Sequence, residues 1–273
     1  MLDQPSFEQA VEKLASARKI SCFTGAGISV ECGIPAFRDT GGLWSKYPPE
    51  QFAHWKGLVK IAKKNPDKIV DFLLDVLKPI AKAKPGKAHH AIAQLERYRP
   101  VTILTQNVDQ LHQEAGSTKV REIHGSFFKI VSMDKKDMGF PLKELTREDL
   151  FKALESLEKA KKGILKIPKL LLAMRSMFGL SVWGFYRPNI VLFGEMMAEP
   201  DWTIAQEDAR KSDVMLVIGT SGSVYPAAIL PEITQMSGGC VIQVDPHTPG
   251  GHLWLQGKAQ DLLPKLVQEA FGS

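Results

Sequence analysis

Residues Cys22–Ser29 have the sequence Cys-Phe-Thr-Gly-Ala-Gly-Ile-Ser. Their first two residues are the end of an apolar run, Ile20–Phe23. A short, continuously apolar run predicts a buried strand, and the glycines come where that strand ends. Glycine permits a tight turn and lets backbone N–H groups approach an anionic ligand with no side chain between them. The stretch therefore predicts either a plain turn or a turn that binds a pyrophosphate.

The segment Gly33–Arg38, which reads Gly-Ile-Pro-Ala-Phe-Arg, favours the second interpretation. Pro35 restricts the backbone, and an aromatic ring and a guanidinium follow at Phe37 and Arg38 in a loop of otherwise small residues. Together with the glycine turn, these features predict a lid over a bound dinucleotide.

The composition predicts a soluble enzyme with a sizeable core. The chain has 273 residues, a formal net charge of +5 and three cysteines, Cys22, Cys32 and Cys240. The cysteines are too few and too scattered for a disulfide framework, and no secretion-signal pattern is present. We therefore expect an intracellular protein, cytoplasmic or alternatively nuclear. No basic run with interleaved aromatics predicts nucleic-acid binding, and charged residues interrupt the apolar stretch 164–185, so no membrane span is expected.

Short apolar runs alternate with helical segments along most of the chain. Helical periodicity covers 6–17, with Ser6 as the expected cap, and also 88–98, 202–210 and 259–270. The apolar runs, each of which stops at a polar or glycine cluster, are Ile20–Phe23, Val101–Leu104, Val120–Ile123, Ile190–Phe193, Val214–Ile218 and Val241–Val244. This alternation predicts an α/β fold, a Rossmann-like parallel sheet with helices on both faces.

Two insertions predict a smaller helical domain beside the sheet. The first, 46–87, carries a helix that starts at Pro66, and the second, 131–185, carries further apolar helical stripes. The large Rossmann-like domain then comprises 1–45, 88–130 and 186–273. Most of the basic surplus lies between Lys159 and Arg187, which predicts either a solvated helix face or a docking surface for an acidic partner.

The polar clusters come at the ends of the predicted parallel strands. Those ends meet at one edge of a sheet, where ligands bind, so the clusters predict a single site. Its members are Gly25–Arg38, Gln106–Asp109, His124, Gly194-Glu195, Gly219–Ser221 and Gln243–Asp245. The set contains no metal-binding cysteine pair, no nucleophilic-serine motif and no Walker lysine. A glycine turn with amides, a carboxylate and a histidine suits chemistry on a nucleotide sugar, with His124 as the base.

Six blocks of the chain, in order, resemble the successive motifs of the sirtuins, the NAD-dependent protein deacylases. The blocks are Gly25–Ser29 with Gly33–Arg38, Thr105–Asp109, His124-Gly125, Arg187–Glu195, Gly219–Ser221, and Val224-x-Pro226. The resemblance extends from about residue 10 to the end of the sequence. One such block is a weak signal, whereas six in the family's order are specific.

The resemblance implies an NAD site. Ala26, Arg38 and Ser221 would line the phosphate and ribose sites. Gln106 and Asn107 would hold the nicotinamide ribose, and Ile34 and Asp109 would contact the carboxamide. The implied cofactor-binding set also includes Gly25, Gly27, Phe37, Gly219, Thr220, Gln243, Asp245, Lys258 and Ala259.

The resemblance also implies the reaction and its substrate, an acylated lysine in a protein. His124 would be the general base and Asn107 a second catalytic residue. The acyl oxygen attacks the ribose C1′ as nicotinamide leaves, which gives free lysine and O-acyl-ADP-ribose. The substrate backbone would bind as an added strand. The implied substrate-binding residues are Leu73, Val76, Val191, Phe193, Gly194, Glu195 and Val224.

The chain departs from the sirtuin pattern where most members bind a structural zinc through two cysteine pairs. The interval Phe128–Arg187, which corresponds to that site, contains no cysteine. We therefore expect no zinc, and we expect an apolar helical stripe to form the core of the small domain instead.

Two further departures concern specificity. Sirtuins that remove acidic acyl groups have a tyrosine and, three residues later, an arginine on the first-insertion helix, where this chain has Leu73 and Val76. An apolar floor cannot pair a succinyl carboxylate, so acetyl or longer apolar acyl groups are expected. Gln243 and Asp245 stand where the family often has asparagine and glutamate. The amide side chain is therefore one methylene longer and the carboxylate side chain one methylene shorter at the expected contact with the adenosine ribose.

Two other functions could use the same residues. Protein ADP-ribosylation or NAD hydrolysis would activate the same C1′ toward another nucleophile. A non-catalytic module could sense NAD and hold a partner through the basic insertion. His124 favours deacylation over the first alternative, and His124 with Asn107 favours an enzyme over a sensor.

Overall fold

The computed structural model describes residues 3–36, 41–132, 141–161, 175, 177–181 and 184–272. The chain divides into two compact units. The first unit comprises Met1–Cys32, Lys84–His124 and Glu199–Ser273, and the second comprises Gly33–Ala83 and Gly125–Ala198. The second unit thus extends beyond the expected small domain, because it includes 33–45, 125–130 and 186–198.

The described strands and helices have the following bounds. The strands are β1 Ile20–Thr24, β2 Val101–Thr105, β3 Val120–Glu122, β4 Gly125–Ser132, β5 Lys143–Glu144, β6 Gly179–Ser181, β7 Gly184–Ile190, β8 Val214–Ile218, β9 Cys240–Val244 and β10 Leu253–Leu255. The helices are α1 Gln4–Ser16, α2 Leu43–Lys46, α3 Pro49–Phe52, α4 Trp55–Lys64, α5 Pro66–Lys82, α6 Lys87–Leu95, α7 Leu111–Glu114, α8 Arg147–Lys161, α9 Asp201–Arg210, α10 Ile229–Met236 and α11 Ala259–Phe271, with a 3₁₀ helix at Ala26–Cys32.

A six-stranded sheet in the order β10-β9-β8-β1-β2-β3 forms the centre of the first unit, and all its pairs are parallel. Its three central strands are buried throughout, as continuously apolar sequences require. Thr24 is level with Thr105 on one side and with Ile218 on the other, so these strands end together. This sheet confirms the α/β, Rossmann-like fold.

Helices cover both faces of the parallel sheet. Alternate residues of the central strands, such as Ile20 and Leu216, share one apolar core with α1, α6 and α11. On the other face, the Thr234 hydroxyl of α10 donates to the Met215 sulfur at 3.8 Å. Within the described residues, no helix is long and apolar enough to cross a membrane.

The first helix begins earlier than its periodicity predicts. The Asp3 carboxylate caps α1 by accepting the Ser6 N–H at 3.3 Å, so the expected Ser6 cap is wrong. Pro5 lies in the first turn, where no intrahelical donor is needed. Aspartate serves as an N-cap as well as serine, and a proline in the first turn favours this earlier start.

The second unit contains an antiparallel sheet, β5-β4-β7-β6, together with α2–α5 and α8. The run Ile190–Phe193 was expected to be a strand of the parallel sheet, and this prediction is wrong. Strand β7 ends at Ile190 and pairs antiparallel with β4. Its residues mix exposed, half-buried and buried positions, the pattern of a sheet with one solvated face.

Aromatic and aliphatic side chains form the core of the second unit. The Tyr47, Phe52 and Phe72 rings lie 4.9–5.1 Å apart between centroids. Leu150, Leu154 and Leu157 of α8 are buried, as expected for the first stripe of the second insertion. Most of the second stripe and of the basic stretch 159–187 lies outside the described residues.

Candidate active site

Two glycine turns meet at the ends of β1 and β8. The Gly25 N–H donates to the Ile218 carbonyl at 3.0 Å, and the Gly27 N–H donates to the Gly219 carbonyl at 2.9 Å. A Cβ on Gly27 would lie 2.6 Å from the Gly219 Cα, and Gly219 itself has φ +58°. Since no side chain fits between these turns, the strand ends present backbone and the small residue Ala26, as a pyrophosphate site requires.

Hydrogen bonds connect the turn after β8 to its neighbours. The Gln106 Nε2 donates to the Thr220 hydroxyl at 3.0 Å, and the buried Gln243 Nε2 donates to the Thr220 carbonyl at 3.4 Å. Ser221 is exposed, and its hydroxyl pairs with that of Ser223 at 2.7 Å. Four of the predicted cofactor-binding residues, Gln106, Thr220, Ser221 and Gln243, are therefore brought together here.

Ser29 connects Asn107 to Asp109. Its hydroxyl donates to the Asp109 Oδ2 at 2.7 Å and accepts from the Asn107 Nδ2 at 3.3 Å. The Asn107 Nδ2 also donates to the Gly25 carbonyl at 3.1 Å. Both amide protons of Asn107 are thus used, and its Oδ1 has no hydrogen-bond partner within the described residues.

His124 lies in the turn between β3 and β4, and its ring is fixed by a backbone carbonyl. The Nδ1 lies 3.2 Å from the Gln106 carbonyl oxygen. A carbonyl can only accept, so Nδ1 carries the proton and Nε2 carries the lone pair. Burial lowers the pKa of His124 below its ordinary value, although the hydrogen bond with Gln106 opposes this shift. The imidazole is therefore neutral at cellular pH, with Nε2 available as a base.

The lowered pKa predicts the pH dependence of any reaction that uses His124 as a base. Only the neutral ring accepts a proton, so kcat is expected to stay level through neutrality and to fall only at an acidic pH below the ordinary titration range of histidine. A pH profile of kcat at saturating NAD and peptide measures this. An activity loss that already begins above neutral pH would contradict it.

The predicted adenosine-side residues lie around the ends of β9 and β10. The Asp245 Oδ1 accepts the backbone N–H groups of His247 and Thr248 at 2.8 and 2.7 Å. This carboxylate therefore stabilises the turn that follows β9. Lys258 pairs with Glu31 at 2.6 Å and stands as the residue before α11, whose first residue is Ala259. The Glu31 carboxylate raises the pKa of Lys258, which stays charged.

The predicted residues of the second unit form a group around β7. The Phe193 N–H donates to the Ala53 carbonyl, and the Phe193 carbonyl accepts from the His54 Nδ1, both at 2.8 Å. The Phe193 N–H is thus committed within the second unit, whereas its carbonyl keeps one lone pair. Gly194 has φ +84°, and Glu195 pairs with Arg187 at 2.7 Å.

The remaining predicted residues have the following positions. Ile34, Val191 and Val224 are half-buried, as are Leu73 and Val76 on α5. Phe37 and Arg38 lie outside the described residues.

The described residues contain no group of three or more His, Cys, Asp or Glu side chains placed to hold an ion. Cys22 is buried in β1, whereas Cys32 and Cys240 are half-buried, and all three are free thiols.

Three side chains have roles that the sequence did not assign. Ser29 bridges Asn107 and Asp109, Thr105 supports the Asn107 backbone, and His54 holds Phe193. Ser29 and Thr105 lie inside motifs that were singled out, but no role was given to them. His54 was missed, and nothing in the periodicity or spacing marks it.

The strand-end turns and the neutral histidine are those of a dinucleotide-binding enzyme, and three comparisons agree with this class. The Sir2 family model matches residues 25–226. An NAD-dependent protein deacylase of Pyrococcus furiosus is 39% identical over 262 residues, 94% of each chain. A solved Sir2 homologue in complex with ADP-ribose has a TM-score of 0.75 at 30% identity and covers 96% of both chains.

A further solved structure contains a peptide and a nucleotide derivative. It is a Sir2 protein with a deacetylated p53 peptide and 3′-O-acetyl ADP-ribose, at a TM-score of 0.74 and 29% identity, covering 97% of this chain and 98% of its own. This chain belongs to the Sir2 family, and the resemblance to the sirtuins is confirmed.

Proposed function

We propose that this chain is an NAD-dependent protein-lysine deacylase that transfers the acyl group to ADP-ribose and releases nicotinamide. His124 carries the proposal. Its ring is half-buried, its Nδ1 is held by the Gln106 carbonyl, and its Nε2 is left as a neutral base. The relatives that cover nearly the whole chain support the same activity.

The first unit fits NAD through its two glycine turns. The turns offer closely packed backbone at 25–27 and 219–221, with the exposed Ser221 hydroxyl beside them. The Asn107 Oδ1 is left to accept from a ribose hydroxyl. Bound NAD supplies the ribose C1′ as electrophile and nicotinamide as leaving group.

The protein's own part in the reaction is to position the ribose and to move a proton. Asn107 is fixed at three points, so its Oδ1 can hold a hydroxyl in one orientation. The His124 Nε2 accepts a ribose hydroxyl proton, while the proton on Nδ1 stays hydrogen-bonded to the Gln106 carbonyl. One NAD and one water are consumed for each acyl group removed.

Nicotinamide release with and without an acetyl-lysine peptide tests this function. A deacylase is expected to release nicotinamide only when the acylated peptide is present. Release without the peptide supports NAD hydrolysis, and release with an unmodified peptide that becomes ADP-ribosylated supports the transferase. NAD binding without any release supports the sensor.

We propose acetyl or longer apolar acyl groups as substrates, with Leu73 and Val76 as the residues that exclude acidic ones. Leu73→Tyr combined with Val76→Arg is expected to raise the ratio of desuccinylase to deacetylase kcat/KM, because a guanidinium can pair with the succinyl carboxylate. Competition between succinyl and acetyl peptides measures the ratio. Leu73→Tyr with Val76→Leu is the matched control, and an equal ratio in both variants would disprove this assignment.

We propose that the second unit folds without zinc. Its core is made of aromatic and leucine side chains, and the full sequence has only three cysteines, none in the interval 128–187. Elemental analysis of the purified protein is expected to find far less than one zinc per chain. Dialysis against a chelator is expected to leave the melting temperature unchanged. One tightly bound zinc whose removal lowers the melting temperature would be the opposite result.

We propose an intracellular, reducing compartment, the cytoplasm or the nucleus, because the three cysteines remain free thiols. The lysine-rich stretch 159–187 is proposed as a surface for an acidic protein partner. Binding of an acidic peptide that weakens as salt is raised would support that surface, and salt-independent or absent binding would argue against it.

A further inference from the structure

Four buried polar side chains lie behind the strand ends of the first unit, and the reaction described above does not use them. Thr24 and Thr105 are level on β1 and β2, His112 lies on α7, and His89 lies on α6. Each is at most 2% exposed. Buried polar groups need hydrogen-bond partners, so the direction of each bond can be followed from one residue to the next.

The chain of bonds starts at the backbone of Asn107. Its N–H donates to the Thr105 hydroxyl at 3.0 Å, and Thr105 accepts a second bond from the Thr24 hydroxyl at 2.8 Å. Thr24 has then used its only proton, so it is the acceptor toward the His112 Nε2 at 3.0 Å. This direction places the proton of His112 on Nε2 and leaves a lone pair on Nδ1.

His89 has the complementary arrangement. Its Nδ1 accepts the Gly86 N–H at 3.3 Å, with the Cys32 thiol also close to that nitrogen at 3.9 Å. The lone pair of His89 is therefore on Nδ1 and its proton is on Nε2.

The two nitrogens left over are a donor and an acceptor on neighbouring rings. The His89 Nε2 and the His112 Nδ1 are buried and have no hydrogen-bond partner within the described part of the chain. The ring centroids lie 4.9 Å apart. A donor and an acceptor on rings this close are complementary, and a small ring rotation would join the His89 N–H to the His112 lone pair.

We propose that His112 is a positioning residue for Asn107, acting through Thr24 and Thr105, and that His89 stabilises the His112 tautomer that Thr24 selects. In the resulting path, the His89 N–H donates to the His112 Nδ1, and the His112 N–H donates to the Thr24 hydroxyl. The Thr24 hydroxyl donates to the Thr105 hydroxyl, which also accepts the Asn107 N–H. The path requires both rings to be neutral. Burial lowers the pKa of His89 to about 4, and burial together with His89 lowers the pKa of His112 well below its usual value.

Variants of His112 test the positioning role by kinetics, and this part of the test rests on the proposed deacylase function. His112→Leu removes the N–H, whereas the amide of His112→Gln places an N–H close to the position of Nε2. We expect His112→Leu to lower kcat per folded enzyme at least about tenfold, with KM for the peptide unchanged, because a displaced Asn107 misaligns the reacting groups. His112→Gln is expected to recover most of that loss. The exposed neighbour variant His90→Gln serves as the control.

Nuclear magnetic resonance of the ring nitrogens tests the tautomers independently of any activity. We expect Nε2–H at both His89 and His112 in the wild type. In His89→Asn, whose Oδ1 can still accept from Gly86, we expect an Nδ1–H form of His112 to appear. An Nδ1–H form of His112 in the wild type overturns the proposal, as does a kcat for His112→Leu equal to that of the wild type or to that of His112→Gln. If no deacylase activity is found, the tautomers still decide the hydrogen-bond path.

Discussion

Replacing His124 by alanine is expected to lower kcat for deacylation by about 100- to 10,000-fold. The Nε2 of this ring is the base that the site offers, because Nδ1 is committed to the Gln106 carbonyl. Alanine removes the base and leaves the glycine turns and the Asn107 contacts in place, so NAD affinity is expected to change little. Steady-state kinetics and calorimetric titration of NAD measure the two effects separately.

The same substitution at His90 is the matched control. His90 is exposed on α6, and His90→Ala is expected to retain full activity. A His124→Ala enzyme whose kcat stays within about tenfold of the control would remove His124 from the role of general base. A loss confined to NAD affinity would instead make His124 a binding residue.

Replacing Asn107 by aspartate is expected to be more damaging than replacing it by alanine. Asn107 is 8% exposed, and its Nδ2 donates to the Gly25 carbonyl and the Ser29 hydroxyl. Aspartate presents an oxygen to the Gly25 carbonyl and adds a buried charge close to Asp109, which Ser29 connects to the same position. We expect kcat/KM to fall at least about 100-fold.

The alanine variant loses the same two donors but adds no charge. It removes one of two hydrogen bonds to the Gly25 carbonyl, which still accepts the Ile28 N–H at 3.2 Å. The expected cost is about 0.5–1.5 kcal/mol in the free energy of unfolding. Denaturant unfolding and deacylation kinetics of both variants test the expected order, wild type above Asn107→Ala above Asn107→Asp.

Asn65→Asp is the control for the chemical change itself. Asn65 caps α5 in the second unit by accepting the Lys68 N–H, and aspartate caps equally well. Wild-type stability and activity are therefore expected for this control. Should Asn107→Asp behave like Asn65→Asp, the polar contacts of Asn107 would not be needed for the reaction.

The sequence was sufficient to predict the parallel sheet and the chemistry at its edge. In an α/β protein, a short, continuously apolar run such as Val214–Ile218 forms a strand that is buried on both faces. The polar residue after each run then lies at the strand end by topology alone. For this reason Asn107, His124 and Thr220 could be singled out before any contact was known.

Contacts between polar side chains could not be predicted in this way. The partner of Ser29 depends on how the 3₁₀ helix after β1 is oriented, and no spacing in the sequence encodes that orientation. The path through His112 depends on hydrogen-bond directions, which follow from residue types only after the neighbours are known. The run Ile190–Phe193, of which only Ile190 belongs to β7, was misassigned because it has the composition of a buried parallel strand.

The central claim is that acyl removal, nicotinamide release and acyl transfer to ADP-ribose are one reaction. Mass spectrometry of NAD with an acetyl-lysine peptide follows all three products in the same sample. We expect deacetylated peptide, nicotinamide and O-acetyl-ADP-ribose to form in equal molar amounts. Nicotinamide accompanied by free ADP-ribose, with the peptide still acetylated, would contradict the account.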